Sequence, residues 1–375
     1  MDPVTHTLTG AALSRAGYHR ATPFATVTLM LAANAPDIDI VVGLGGPYLS
    51  VAYHRGLTHS IFAIPFLALG VMLVVLAYDR WVRRRRRPDA EPASPLALFL
   101  LGLLGCATHP LLDWLNTYGI RLLLPAKGEW YYGDTLFIVD PWVWLMLGGG
   151  VYLAGALPLR GSGGVDDGVR WGGIGWGTLV LLASLLILVF PLPVLAKVIW
   201  TVGLLVIAGL RIALPGGVRV RSGIAEGPAR WGLSAAVVYI SIMVWSSAMI
   251  ESEVREELVA EGFTVGDLMV APEPADPFRR MIIATTREGY LLGRYDKFGD
   301  PRIEIMDEPV PLPPMDEVAA EAASTTDARH FLVWARFPVF SVRESGDGAY
   351  LVRISDLRFT DGSTRGLGGV LVRVE

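Results

Sequence analysis

Five of the six histidines fall before residue 110, and four of them sit in short polar words set between apolar runs. These are His6 in "MDPVTHT", His54 and His59 in "YHRGLTHS", and His109 in "THPLLDWLNTYG". Carboxylates accompany them: Asp2, Asp37 and Asp39 in "PDID", Asp113, and Asp140 in "FIVDP". Polar groups beside lipid-compatible stretches are costly and need partners. Asp2 and His6 are four residues apart, as are His109 and Asp113, so each pair would share a helix face. Asp37 and Asp39 follow Pro36, where a helix is expected to end, and both can turn toward one centre. His54 and His59 straddle Gly56 in a loop that leads into "IFAIPFLALGVMLVVLA". Imidazole and carboxylate are ligands of Zn²⁺, Mn²⁺ or Fe²⁺, and a nitrogen-and-oxygen set without thiolate suits hydrolysis. The supply exceeds one tetrahedral ion, so two or three ions are expected, zinc first and manganese as the alternative. Such a cluster generates hydroxide near neutral pH and clamps the attacking and leaving oxygens of a phosphoester. Arg55 can hold a phosphate oxygen by charge-assisted hydrogen bonds, while Asn116 or Tyr118 can position the leaving group. Asp39, Arg55 and Asn116 are therefore the candidate catalytic groups. An isolated HxxxD pair or a "PDID" turn is ordinarily a cap. Their joint occurrence points to metal.

These residues must be positioned by a membrane protein. The chain is 52% hydrophobic and 18% charged, with a mean hydropathy of +0.46. Ordinary globular domains carry roughly a quarter charged residues. Apolar runs of about 20 residues can cross the hydrocarbon, and spans are expected over 61–80, 96–115, 141–158, 174–190, 193–213 and 231–250, with 21–43 a further one. Residues 2–15 form a helix too short to cross. Arginines at 83–87, 211, 219, 221 and 230, with Arg15, Arg20, Arg160 and Arg170, mark the cytoplasmic turns. The polar words and the tail after residue 250 then fall on the outer face. Trp114, Trp130, Trp142 and Trp144 read as an interfacial aromatic belt. The start "MDPVTHTLTG" has an acid where a leader would be basic, so no cleaved leader is expected. One cysteine, Cys106, excludes a disulfide framework and a thiolate cluster, and a net charge of −4 gives no sign of a nucleic-acid partner.

The fold class is thus mainly α: a polytopic helical membrane bundle with a C-terminal β-rich soluble domain. Residues 1–160 carry the metal-site helices, 161–173 ("GSGGVDDGVRWGG") a linker, and 174–250 further transmembrane helices with no paired charges of a transport path. Residues 251–277 read as a connecting helix followed by the Pro-rich linker "VAPEPADPF". Residues 278–375 alternate apolar and polar, with turns at "EG", "GDG" and "TDG", and indicate antiparallel strands that include "RHFLVWARFPVFSVRE".

The words "MDPVTHTLTGAAL", "PDID", "HRGLTHS", "HPLLDWLNTYG" and "FIVDP", in this order over residues 1–160, resemble the YdjM-like family of membrane-bound metal-dependent hydrolases. The resemblance implies kinship with helical zinc-dependent phospholipases C and single-strand nucleases, which use a tri-zinc centre on phosphodiesters. It implies His6, Asp37, His54, His59, His109 and Asp113 as ligands, with Asp39 and Asp140 as ligands or their supports. A further downstream HxxxH or HxxxE pair is missing, which favours two ions over three. The expectation is an integral hydrolase of the cytoplasmic membrane that attacks a phosphoester of a lipid or lipid-linked substrate with metal-bound hydroxide. Membrane lipids are then its partners. An ester or amide hydrolase would use the same ligands, and a scaffold in which metal staples the helices would show no turnover. A metal transporter would need charges deep in several spans.

Overall fold

The computed structural model describes residues 1–155, 166–189, 192, 194–213, 222–306, 308–314, 316–346, 348–360 and 369–375. The chain divides into two compact units: Met1–Pro36 with Leu57–Val244 and Pro274–Asp276, and Asp37–Gly56 with Trp245–Glu273 and Pro277–Glu375.

The first unit is helical. Helix α1 (Pro3–Arg15) starts where Asp2 accepts from the Val4 and Thr5 amides and Pro3 occupies the first turn, satisfying donors that a helix start leaves open. Helix α2 (Ala25–Asn34) gives way at Ala35 to a tighter 3-10 run, Ala35–Gly45, which contains Pro36. The short α3 (Pro47–Tyr53), which with Asp37–Gly56 belongs to the second unit, follows in sequence; then comes α4 (Ile64–Tyr78), which passes through a π-helical turn into a single turn, α5 (Arg84–Arg86). Helix α6 (Pro95–Trp114) is capped by Ser94, and α7 (Pro141–Gly155), α8 (Asp166–Val189), α9 (Val194–Ala213) and α10 (Ser222–Ala260) complete the set. Helix α6 packs on α2 and α4, and α1 packs on α2 and α7. Glycines permit the closest approaches: a Cβ at Gly105 of α6 would lie 2.7 Å from the Ala32 Cβ, and one at Gly10 of α1 would lie 2.7 Å from the Leu29 carbonyl oxygen. Lipid-solvated helices pack through such small residues. Phe66, Val74, Leu188, Leu205 and Val237 are each more than half exposed, the reverse of a water-soluble surface.

The second unit adds two antiparallel sheets. Strands β1 (Leu268–Glu273), β2 (Asp276–Thr285), β3 (Tyr290–Asp296) and β4 (Ile303–Ile305) lie in that order. Two helices follow, α11 (Glu317–Ser324) and α12 (Thr326–Trp334), then β5 (Pro338–Glu344), β6 (Tyr350–Asp356) and β7 (Gly369–Val374), also in order. Strand alternation divides the core. Leu268, Val270, Ile282 and Ala284 pack with Ile250, Val254 and Leu258 of α10, while Met269, Ala271 and Ile283 pack with Phe337 and Leu357.

Among the described residues, five helical stretches are long and apolar enough to cross a bilayer: Ala25–Gly45, Ile64–Arg86, Pro95–Trp114, Val194–Ala213 and Ile224–Ala260. Several expectations are corrected. Over the span expected at 141–158, α7 is described from Pro141 to Gly155, and over that at 174–190 the apolar stretch is Gly175–Val189 of α8; residues 156–158 and 190 lie outside the described residues. Residues 166–173 of the expected linker are helical, and 161–165 lie outside the described residues. "VAPEPADPF" is a hairpin rather than a linker, because β1 runs to Glu273 and β2 begins at Asp276. The tail contains two helices that the alternation reading missed, and "RHFLVW" belongs to α12 rather than to a strand. Trp142 and Trp144 are buried instead of belted, with the Trp144 indole donating to Thr5 Oγ1 at 3.0 Å.

Candidate metal centre

In the first unit, three elements bring four charged or titratable groups together, all fully buried. His109 and Asp113 sit one turn apart near the end of α6, with Asn116 just beyond it. His59 closes a 3-10 turn, Leu57–His59, stabilised by Ser60 Oγ donating to the Leu57 carbonyl at 2.8 Å. His6 lies on α1.

Three of these groups form a nearly equilateral triangle of donor atoms. The His59 and His109 Nε2 atoms are 3.1 Å apart, and each lies 3.4 Å from Asp113 Oδ2. Ligands bonded to one tetrahedral zinc at about 2.0–2.1 Å are necessarily about 3.3 Å from each other. The triangle therefore has the dimensions of one face of such a site. The tautomer of His109 agrees. Its Nδ1 lies 2.7 Å from the Ala33 carbonyl, a group in the last turn of α2 with no partner inside its helix. A carbonyl only accepts, so Nδ1 carries the proton and Nε2 turns its lone pair inward. Thr58 Oγ1, 3.1 Å from His59 Nδ1, can do the same for His59. The donor set thus fits a divalent cation, with a fourth vertex left for another donor or for water.

His6 supports the same carboxylate. Its Nε2 is 3.2 Å from Asp113 Oδ1, and its ring stacks on that of His109 with centroids 3.7 Å apart. Burial, opposed by the Asp113 hydrogen bond, pulls the His6 pKa down to about 3, so the ring is neutral. The Met1 nitrogen also contacts Asp113 Oδ1.

The second unit carries Asp37, Asp39, His54 and Arg55. Asp37 is half-buried on the 3-10 run. Asp39 is buried, its Oδ1 2.9 Å from His54 Nδ1 and its Oδ2 accepting the Arg55 amide at 3.0 Å. That bond orients the imidazole, with Nδ1 protonated and Nε2 presenting its lone pair. Arg55 is 2% exposed and takes φ +58°, a left-handed conformation that costs a non-glycine residue about 1–3 kcal/mol.

Two expected site residues do other work. Asp140 caps α7: Oδ1 accepts from the Trp142 and Val143 amides at 2.9 and 3.0 Å, and Oδ2 from the Tyr239 hydroxyl at 3.0 Å. Burial raises its pKa to about 6. Its carboxylate is thereby engaged as a helix cap. Asn116 Oδ1 accepts from the Tyr118 amide at 3.0 Å, closing a turn after α6. Thr58 and the Ala33 carbonyl were missed by sequence reasoning. Thr58 lies inside the "HRGLTHS" word, but a main-chain carbonyl leaves no signal in residue identity.

Apolar helices long enough to cross a bilayer and a buried imidazole–carboxylate triangle define an integral membrane protein with a candidate cation site. The chain belongs to the YdjM inner membrane protein family, whose pattern matches residues 1–198. It is similar to the uncharacterized protein YfhP of Bacillus subtilis (strain 168), at 29% identity over 153 residues. That stretch is 39% of this chain and 43% of the relative, so less than half of either is covered. No solved structure matches.

Proposed function

We propose that this chain is a metal-dependent hydrolase of the inner membrane, cleaving a phosphoester of a lipid or lipid-linked substrate. The single observation that carries it is the His59–His109–Asp113 triangle, whose edges of 3.1, 3.4 and 3.4 Å suit one ion. A divalent ion there, zinc or manganese, would activate water and polarise a phosphoryl oxygen. His6 holds Asp113 in place. Asp37, Asp39 and His54 enter the proposal as further ligands or supports from their motifs, and Arg55 as the phosphate-orienting guanidinium. Asn116 shapes the turn beside Asp113. The arginine clusters of the opposite turns support an outer-leaflet site, where a headgroup of a molecule already in the bilayer would meet it.

Metal analysis of the purified chain tests the site. One or two equivalents of zinc or manganese are expected, lost in His59→Ala and in His109→Ala. Turnover on panels of phospholipids, phosphodiesters, carboxylic esters and peptides then tests the chemistry, with headgroup release expected to stop with chelator and return with metal. Metal at background in the wild type, or retained in both variants, overturns the site. A loaded protein that turns over no phosphoester and unfolds on chelation would instead be a metal-stapled scaffold.

A further inference from the structure

Six arginines crowd one end of the stretch Ile64–Arg86: Arg80 and the run from Arg83 to Arg87. By sequence the five of the run are alike, but the structure divides them. Arg83 is turned inward. Its Nε lies 2.8 Å from Asp79 Oδ1, its guanidinium covers the Phe24 ring at 4.8 Å, and its Nη2 donates to the Glu91 carbonyl. Asp79 is buried, and its Oδ2 accepts the Ala93 amide at 3.1 Å. The next amide, that of Ser94, donates to Thr22 Oγ1 at 2.8 Å. The chain is thus pinned on both sides of a corner between α4 and α6. Within it the Arg87 and Ala90 amides donate to the Arg83 and Arg87 carbonyls at 2.8 and 3.1 Å. Arg80, Arg84, Arg85, Arg86 and Arg87 stand outside this frame, all exposed. Among the described residues none of the five pairs with a carboxylate, although Asp89 and Glu91 belong to the same corner. Before the corner, Val74, Tyr78 and Trp81 follow one another at helical spacing and are 64%, 51% and 60% exposed.

Neighbouring charges in such a turn lie within roughly one Debye length, about 8–10 Å, and their fields add. The pinned corner holds them together where a free loop would let them spread. What relieves their repulsion must be anionic, and it must lie beside a stripe that faces lipid and ends in Tyr78 and Trp81, rings that settle at the headgroup level. We propose that this corner is a headgroup site for anionic phospholipid, with Arg80 and the four outward arginines on phosphate and Tyr78 and Trp81 against the glycerol and upper acyl chains. Asp79 and Arg83 are its positioning residues. The site is separate from the metal triangle. His59 precedes the 23-residue stretch that the corner ends, a length of roughly 35 Å at the helical rise, and Asp113 lies at the opposite end of α6 from Ser94. A nucleic acid carries the same phosphates but has nothing to set against an apolar stripe that belongs to a candidate span.

Native mass spectrometry of the full chain provides the test, with the protein released from detergent micelles that hold equal amounts of phosphatidylglycerol and phosphatidylcholine. The first lipid retained is expected to be phosphatidylglycerol over phosphatidylcholine by about fivefold or more, the worth of at least one arginine on a phosphate. The preference should fall as the ammonium acetate concentration is raised. It should drop to near one in R84Q/R85Q/R86Q/R87Q, and part of the way in the milder R86Q/R87Q. All four positions are exposed, and an unchanged melting temperature shows that each variant is folded. Equal retention of the two lipids by the wild type overturns the proposal, as does a preference that survives the fourfold substitution. So does a chain that shows no lipid preference but takes up added inorganic phosphate or RNA and loses it in that variant, because the corner would then serve a soluble anion.

Discussion

Asp39 shows how a residue's contacts refine its assignment. Both carboxylate oxygens are engaged within their own segment, one by His54 Nδ1 at 2.9 Å and one by the Arg55 amide at 3.0 Å. The carboxylate therefore sets the ring of His54 and fixes the left-handed turn at Arg55. Removing it strands a buried amide donor, which costs about 1–3 kcal/mol. Asp39→Ala is accordingly expected to lower thermal stability in detergent by that amount and to abolish turnover. The metal held by His59, His109 and Asp113 should remain. Full turnover in Asp39→Ala would show that neither His54 nor Arg55 takes part. At this scale the sequence was informative where side chains carry the chemistry. The i,i+4 spacing of His109 and Asp113 did put them in one cluster, because a helix face is a local property. Asp140 marks the limit of such reading: an acid before a proline-started helix reads alike whether it caps or ligates. Only the Trp142 and Val143 amides and the Tyr239 hydroxyl, 99 residues away, distinguish the two.

At the scale of elements, the helices were far more legible than the strands. Long apolar runs announce themselves by composition, so four of the expected spans, and part of the run at 21–43, reappear among the crossing helices. The Pro-rich stretch failed because proline usually interrupts strands. Here β1 is the outer strand of its sheet, and an edge tolerates Pro272 without losing a ladder bond. "RHFLVW" failed because a short apolar run fits either period. Ala328, Phe331 and Trp334, three residues apart and buried together, satisfy a helix. Membrane helices are held by close approach, and α7 against α10 is an instance in which backbone meets backbone. A Cβ on Gly232 would lie 2.5 Å from the Met146 carbonyl oxygen and 3.1 Å from the Gly150 Cα. Backbone atoms cannot swing aside, so the helices must separate. Gly232→Ala is expected to destabilise the protein by about 1–3 kcal/mol. Gly209→Ala on α9, where a Cβ meets nothing within 4 Å, should be neutral or stabilise by up to about 1 kcal/mol. Equal melting temperatures for the two variants would remove close packing as the force joining α7 to α10.

Over the whole molecule, the division into units assigns a task to the tail. Residues Asp37–Gly56, with Asp37, Asp39, His54 and Arg55, belong to the same unit as the sheets. Within that unit α3 lies along α12, and the Tyr48 hydroxyl donates to the Gly369 carbonyl at 3.2 Å. Helix α12 is in turn fixed by a buried ion pair. Arg358 donates Nε to Asp356 Oδ1 at 3.0 Å and Nη2 to Asp356 Oδ2 at 2.8 Å, and also reaches the Trp334 carbonyl at 2.9 Å. Asp356 Oδ2 further accepts the Arg336 amide at 2.7 Å. The pair thus ties the end of α12 to β5 and β6, and through α12 it steadies the segment that bears Asp39 and His54. Neither link could be foreseen, since both join positions far apart in sequence and rest on polar groups that are ordinary in composition. Breaking a buried pair from one side leaves an uncompensated charge and costs about 3–5 kcal/mol. Asp356→Ala is therefore expected to lower the unfolding temperature of the sheets and to reduce turnover with them. Ala52→Arg, which forces a long charged chain into a buried position of α3, should reduce turnover while the sheets melt as in the wild type. Both variants should keep the metal content that the proposed His59–His109–Asp113 site predicts. If both retain wild-type turnover, the tail has no part in positioning Asp37–Gly56 for catalysis.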